Sequence, residues 1–166
     1  MTSAAQVLDD AFERVGDAVI AVVDGLTTDQ LSHRPAADAN SVGWLVWHLL
    51  RVQDDHVADA AGSEQVWVTE GWHERFGLPF EPSATGYGQT PDDVAAVVTT
   101  ADLLEGYARA VTVATRGWVV DLTDHDLDRV VDDAWDPPVT LGVRLVSVVE
   151  DDLKHVGQAE YLKGLL

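Results

Sequence analysis

Apolar residues recur at intervals of three and four along four long stretches of the chain, a pattern typical of amphipathic helices. In the first stretch the apolar stripe consists of Val7, Leu8, Phe12, Val15, Val19 and Val22. The four predicted helices cover residues 3–25, about 40–61, about 91–118 and 141–163. The residues predicted to cap or end them are Ser3, Gly25, Asn40 or Ser41, Gly62, Thr90, Thr140 and Gly164.

The connections between these helices differ in length and composition. Residues 26–39 form a loop, and residues 121–140 are polar and break at a Pro-Pro pair. Residues 63–89 are rich in glycine, proline and aromatic residues, and they are longer than an ordinary helix connection, so we expect them to cover one end of a pocket. No stretch shows convincing strand alternation. We therefore predict an all-α four-helix bundle, with residues 1–166 in a single domain.

Charge and composition exclude several classes of partner. The chain has 29 acidic and 10 basic residues and a formal net charge of −19, which disfavours binding to nucleic acid and to anionic lipid. No apolar run approaches the roughly 18 residues that a membrane helix needs. The stretch "MTSAAQVLDDAFERVGDAV" carries acidic residues where a signal peptide would have a basic start, so we expect a cytoplasmic protein. The absence of cysteine excludes disulfides, thiolate ligands and a cysteine nucleophile.

Candidate chemistry lies near the end of the chain, in the segment "EDDLKHVGQAEY". Asp151 and His155 are four residues apart, so on a helix they differ by about 40° and about 6 Å of rise and can reach one metal ion. Such a pair is also common on solvated helix faces, and spacing alone leaves both interpretations open.

A second candidate ligand lies in the apolar run "GWLVWHLLRV", where His48 is flanked by tryptophan and leucine. A lone histidine there is more often a hydrogen-bonded core residue than a ligand. Two helices that each direct a ligand into a bundle are, however, the usual way in which bundles form metal sites. Asp55 and His56 lie roughly 10 Å further along the axis, too far to share the ion directly, and we interpret them as solvated or as outer partners.

The segments "NSVGWLVWHLLRVQDDHVA" and "LVSVVEDDLKHVGQAEYLKGL" resemble the two signature helices of the DinB/YfiT-like metalloprotein superfamily. The closer resemblance is to its actinobacterial mycothiol-transferase-like branch, related to the N-terminal domain of mycothiol-dependent maleylpyruvate isomerase. It extends over nearly the whole chain. The motif of a metal-binding His in a Trp-rich second helix is matched by His48, and [His/Asp/Glu]-x-x-x-His-x-Gly-Gln is matched by Asp151, His155, Gly157 and Gln158.

The resemblance implies a divalent metal ion held by His48, Asp151 and His155, with Zn the default and Ni or Fe as alternatives. Many members have three His ligands, whereas Asp151 occupies the variable position here, as in the maleylpyruvate isomerase branch. The implied function is metal-dependent activation of a low-molecular-weight thiol such as mycothiol, for transfer to, or isomerisation of, a small electrophile. A homodimer is also plausible on this basis. A metal-dependent hydrolase and a non-catalytic metal-binding stress-response protein remain the alternatives.

Four further residues are candidates for contacts around the ion or the substrate. Gln158 is expected to orient His155 or a bound water. Arg51 and Arg144 could each hold a carboxylate of the thiol or substrate, although structural ion pairs are the alternative. Trp72, together with His73, is expected to line the pocket mouth. The tryptophans assigned to packing are Trp67, Trp118 and Trp135.

Overall fold

The computed structural model describes residues 2–166, which are mostly helical. The helices are α1 (Ala4–Val23), α2 (Thr28–Ser32), α3 (Val42–Ala61), α4 (Val66–Thr69), α5 (Trp72–Phe76), α6 (Pro91–Ala96), α7 (Ala101–Val119), α8 (Asp124–Leu127) and α9 (Leu141–Lys163). Two short strands, β1 (Val130–Asp132) and β2 (Val139–Thr140), form an antiparallel pair. None of the helices in this described part combines the length and hydrophobicity needed to cross a membrane.

Helices α1, α3, α7 and α9 form the bundle. Each packs on two neighbours, with α3 against α9 and α1 against α7 as the most extensive pairs. On α1 the buried residues follow the predicted stripe from Leu8 through Phe12, Val15 and Val19 to Val22, whereas its first member, Val7, is exposed. Burial of these apolar side chains is the main favourable contribution to folding. The predicted all-α four-helix bundle is confirmed.

Helix ends follow the local sequence closely. The side chains of Ser3, Ser41 and Thr140 accept hydrogen bonds from the first turns of α1, α3 and α9, which satisfies backbone donors that have no partner within the helix. Gly62 ends α3 with a φ of +68°, a conformation that glycine adopts without steric cost. These boundaries agree with the predicted ones within about two residues.

The predicted third helix is interrupted. Helix α6 ends at Ala96, and α7 begins at Ala101 after Thr100, whose side chain accepts a hydrogen bond from Leu103 N. The intervening residues 97–100, "VVTT", are all β-branched, which lowers their preference for helix. The continuous helix expected from about 91 to 118 is therefore two helices, because a capping threonine follows a run of poor helix formers.

The connections contain more regular structure than expected. Residues 26–40 include α2, which begins with a reciprocal capping box between Thr27 and Gln30. The polar segment 121–140 contains α8 and the β1–β2 hairpin, in which Val130 pairs with Thr140. The expectation of no strand was wrong here, because strands of three and two residues are too short to show alternation in sequence.

Residues 63–89 contain α4 and α5 and are tied to the bundle by buried polar contacts. Helix α4 has no side-chain cap of its own. Instead, the carboxylate of Asp54 on α3 accepts hydrogen bonds from Val66 N (3.0 Å) and Trp67 N (2.9 Å). A side chain distant in sequence thus satisfies the helix start and holds this connection in place.

Candidate metal centre

Three side chains that can bind a metal meet between α3 and α9. His48 comes from α3, and Asp151 and His155 come from α9, the helix that packs most extensively on α3. One potential ligand atom from each residue lies within 4.8 Å of the others. The structure thus brings together all three residues that the sequence analysis selected, although His48 is about a hundred positions away from the other two along the chain.

The imidazole of His48 is held on several sides. Its ring stacks on Trp44 at a centroid distance of 4.6 Å and an interplanar angle of 16°. The edge of the His155 ring lies 4.8 Å away, centroid to centroid. Burial lowers the pKa of His48, so the ring is neutral at pH 7 and keeps a lone pair for a metal ion.

Backbone carbonyl groups determine which nitrogen of each imidazole is free. His48 Nδ1 lies 2.5 Å from Thr85 O, and His155 Nδ1 lies 2.8 Å from Asp151 O. Because a carbonyl oxygen only accepts, a hydrogen bond to it places a proton on Nδ1 of each ring. The Nε2 atoms of both rings are therefore available as ligands, in the arrangement that second partners impose on metal-binding histidines.

The carboxylate of Asp151 completes a donor set suited to a divalent cation. Within the described residues its buried Oδ2 has no hydrogen-bond partner, and it lies 3.5 Å from His155 Nδ1, too far for a strong hydrogen bond. A carboxylate oxygen without a partner, beside two imidazoles, is a donor set that Zn, Ni and Fe ions bind. The residues present therefore fit the metal that the resemblance implies.

His48 and Asp151 also form part of the wall of a cavity of about 680 Å³, a volume suited to a small molecule. Val52, Val139, Val143 and Val148 contribute apolar surface. Acidic side chains and two strongly exposed aromatic residues line the rest. These further residues are Asp55, Asp132, Glu150, Tyr87 (94% exposed) and Trp135 (67% exposed).

Arg144 and His56 supply further polar groups to the cavity wall. Arg144 donates through Nη1 to His56 Nδ1 (3.0 Å) and through Nη2 to Asp132 Oδ2 (3.2 Å). Burial, together with the charge of Arg144, lowers the pKa of His56. Arg144 remains on the cavity wall, so its guanidinium can meet an anionic group of a bound molecule.

Comparison with known proteins identifies the family. The sequence model of the mycothiol-S-transferase family matches residues 7–166. The chain belongs to the mycothiol-S-transferase family. It is also similar to a conserved protein of Enterococcus faecalis known from a crystal structure, with 29% identity and a TM-score of 0.91 over 98% of this chain and 96% of that one. Among curated proteins no significant match was found.

Membership of the mycothiol-S-transferase family confirms the resemblance, but two predicted contacts are corrected. Arg51 is fully buried and donates to Pro82 O (3.2 Å), Ala84 O (3.1 Å) and Tyr107 Oη (3.2 Å). It therefore cannot reach a substrate carboxylate, and its role is structural. Trp72 is buried against Phe76 and Tyr107 rather than lining the cavity mouth, because α5 turns its apolar face to α7.

The position of Gln158 differs from the expected one. It is exposed on α9 and lines a separate groove with Leu45, Lys154 and Tyr161. The Nδ1 atom of His155 faces the carbonyl of Asp151 rather than Gln158.

Sequence reasoning missed other residues at the cavity of this transferase-family chain. Trp135 was assigned to packing, although an aromatic residue in the polar segment "DDAWDPP" is a signal for an exposed contact. The contribution of Thr85 is a backbone carbonyl, which no side-chain pattern announces.

Asp152 is a further unexpected group, next to the ligand Asp151. It is fully buried on the core face of α9, and neither of its oxygens has a hydrogen-bond partner among residues 2–166. Burial, reinforced by the charge of Asp151, raises its pKa well above the usual range. The surroundings of Asp152 therefore favour the protonated form of its carboxyl group.

Proposed function

We propose that the protein is a metal-dependent transferase that activates a low-molecular-weight, mycothiol-like thiol for S-transfer to, or isomerisation of, a small electrophile. The observation that carries this proposal is the convergence of His48, Asp151 and His155 beside a cavity of small-molecule size. Family membership supports the thiol-transferase part. The metal and the identity of both substrates are our inference.

His48, Asp151 and His155 would hold one divalent ion, with Zn favoured and Ni or Fe as alternatives. When bound, such an ion lowers the pKa of a thiol and polarises an electrophile. Three protein ligands leave room for one more donor from a small molecule. Asp151 supplies a single negative charge, so the three residues leave the ion with a net positive charge toward the cavity.

The other residues of the cavity bind and orient the substrates. The chain has no cysteine, so the reacting sulfur must come from a separate thiol. Arg144 is placed to hold an anionic group of the thiol or electrophile, and its contact with Asp132 fixes the direction of its guanidinium. The valines of the wall exclude water from the apolar part of the bound molecules.

In the transfer step the thiol sulfur, after losing its proton to water at the open side of the cavity, forms a bond to the electrophilic carbon. The leaving group departs with the electron pair of the bond that breaks. In isomerisation, the same sulfur adds to an activated double bond and is later expelled. As the proposed metal ligands, His48 and His155 would not take up this proton.

The test supplies purified, Zn-loaded protein with a thiol and an electrophile such as monobromobimane and follows the conjugate by mass spectrometry. Conjugate formation that needs both protein and metal supports the proposal. Ester or amide turnover without thiol would favour the hydrolase. Tight metal retention without either activity would favour a non-catalytic metal-binding protein.

A further inference from the structure

We propose that the Thr85–Gly86 turn is a positioning element for His48: the Thr85 carbonyl orients the imidazole, and the missing side chain at Gly86 lets the turn approach it. This inference rests on the proposed role of His48 as a metal ligand. It assigns a role in the metal centre to the 63–89 connection, which contributes none of the three ligands.

The turn and the imidazole are in close contact. His48 Nδ1 lies 2.5 Å from Thr85 O. A Cβ atom placed on Gly86 would lie 2.6 Å from Nδ1 and 3.2 Å from Cγ of the same ring, and 3.2 Å from Cζ3 of Trp47. Gly86 also has a backbone φ of +96°, which residues other than glycine rarely adopt. Two independent requirements, space and backbone conformation, therefore select glycine at this position.

The imidazole cannot move away from the turn without losing its own packing. Its other contacts are the face of Trp44 and the ring of His155, and His48 is only 7% exposed. A shift of the ring would give up these close-packed contacts. A side chain at position 86 would therefore displace the imidazole from the place where it meets Asp151.

The turn itself is anchored on α3. Arg51, three residues after His48, holds the carbonyl groups of Pro82 and Ala84, immediately before Thr85. Asp54 holds the start of α4 at the other end of the same connection. The carbonyl that orients His48 is thus positioned by buried contacts from the helix that carries His48.

The decisive comparison is between Gly86→Ala and Gly88→Ala. Gly88 lies in the same connection and has a similarly left-handed φ of +72°, but no described residue lies within 4 Å of a Cβ built there. Both variants carry an alanine in an unfavourable backbone conformation, and only the first meets His48. We expect Gly86→Ala to weaken Zn²⁺ affinity by about 10–100-fold, the usual effect of disturbing an outer partner of a metal-binding histidine.

Affinity is measured by competition with a chromophoric chelator, and folding by circular dichroism. Gly88→Ala should keep the wild-type affinity. Wild-type affinity in folded Gly86→Ala, or an equal loss in Gly88→Ala, would overturn the proposal.

A second measurement applies to the wild-type protein even when Gly86→Ala does not fold. Nitrogen-15 NMR of the metal-free protein, with His48→Gln to assign the signal, reports which ring nitrogen carries the proton. We expect Nδ1–H, the form that donates to Thr85 O; Nε2–H would overturn the proposal. A wild-type protein with Nδ1–H that binds no Zn²⁺, Ni²⁺ or Fe²⁺ would support the hold of the turn on His48 while overturning the proposed function.

Discussion

Helix α3 contributes to two polar clusters, one turn apart, that differ in how their hydrogen bonds are satisfied. In the first, Asp54 accepts three hydrogen bonds and Arg51 donates three, with Tyr107 Oη between them. In the second, His48 and His155 use only Nδ1, and within the described part of the chain Asp151 Oδ2 has no partner. The hydrogen bonds of the first cluster are satisfied within the protein. The second cluster keeps nitrogen and oxygen atoms with free lone pairs, which can bind a ligand.

Burial alone would not separate the two clusters. Burial raises the pKa of Asp54 and Tyr107 in the first, and it lowers the pKa of His48 in the second. The distinguishing property is whether the polar atoms find partners inside the protein. A fully satisfied network fixes the structure around it, whereas unpartnered atoms beside a cavity are available to bind.

The largest expected effect on stability comes from breaking the first cluster with Arg51→Met. Loss of the guanidinium leaves Asp54 buried without its charged partner, and the carbonyls of Pro82 and Ala84 without donors. We expect the free energy of unfolding to fall by about 3–5 kcal/mol. Urea denaturation measures this change. The control, Arg14→Met, removes an exposed pair with Asp10 and should lower the free energy of unfolding far less; equal effects would contradict the comparison.

Substitutions in the second cluster should instead weaken metal binding. His48→Ala and His155→Ala each remove a ligand, so we expect Zn²⁺ affinity to fall by more than the roughly 10–100-fold caused by changes to outer partners. Asp151→His should retain metal, because imidazole can replace the carboxylate. Metal content per chain after dialysis is the measurement.

Asp55→Ala is the control for metal content, since it removes a carboxylate from the same cavity but not from the three-residue group. It should leave occupancy almost unchanged. Full occupancy in both histidine variants would eliminate the site and the proposed mechanism.

Asp152 tests the rule that unsatisfied buried groups away from a cavity cost stability. Its pKa is raised in the folded protein, so the folded state holds its proton more tightly than the unfolded state. The contribution of Asp152 to stability is then fully present below the unfolded pKa of about 3.9 and is lost as pH rises through the folded value.

Asp152→Asn removes this titration. In metal-free protein we expect it to match the wild type near pH 4 and to exceed it by about 1–3 kcal/mol at neutral pH, as estimated for buried polar groups without partners. Urea titrations at several pH values, with exposed Asp121→Asn for comparison, measure the difference. A constant difference across pH would exclude Asp152 as its source.

The smallest effect is expected for a satisfied, half-buried pair at the surface. Arg116 on α7 bonds to Asp9 and Glu13 on α1, and the hydrogen bond from Arg116 lowers the pKa of Asp9. This contribution is present above the unfolded pKa of about 3.9 and is lost as pH falls through the lower folded value. We expect a coupling free energy of about 0.2–1 kcal/mol in a double-mutant cycle of Arg116→Ala and Asp9→Ala. A coupling that persists below the folded pKa of Asp9 would contradict this assignment.

Helix positions and helix starts were predictable from sequence, because they depend on residues close together along the chain. Apolar spacing located the four long helices, and Ser3 and Thr140 marked two of their starts. The family motifs selected His48, Asp151 and His155, because ligands on helices recur at spacings that sequence displays directly.

Contacts between segments far apart in sequence could be seen only in the folded structure. Arg51 and Trp72 could have faced the cavity as far as sequence shows, but both are buried in the contacts between α3, α7 and the 63–89 connection. Trp135 reaches the cavity because the β1–β2 hairpin folds beside α9. Every residue has a backbone carbonyl, so the contact of Thr85 O with His48 depends only on the path of the chain. Partners across the bundle are selected by packing and hydrogen-bond satisfaction, and local sequence records neither.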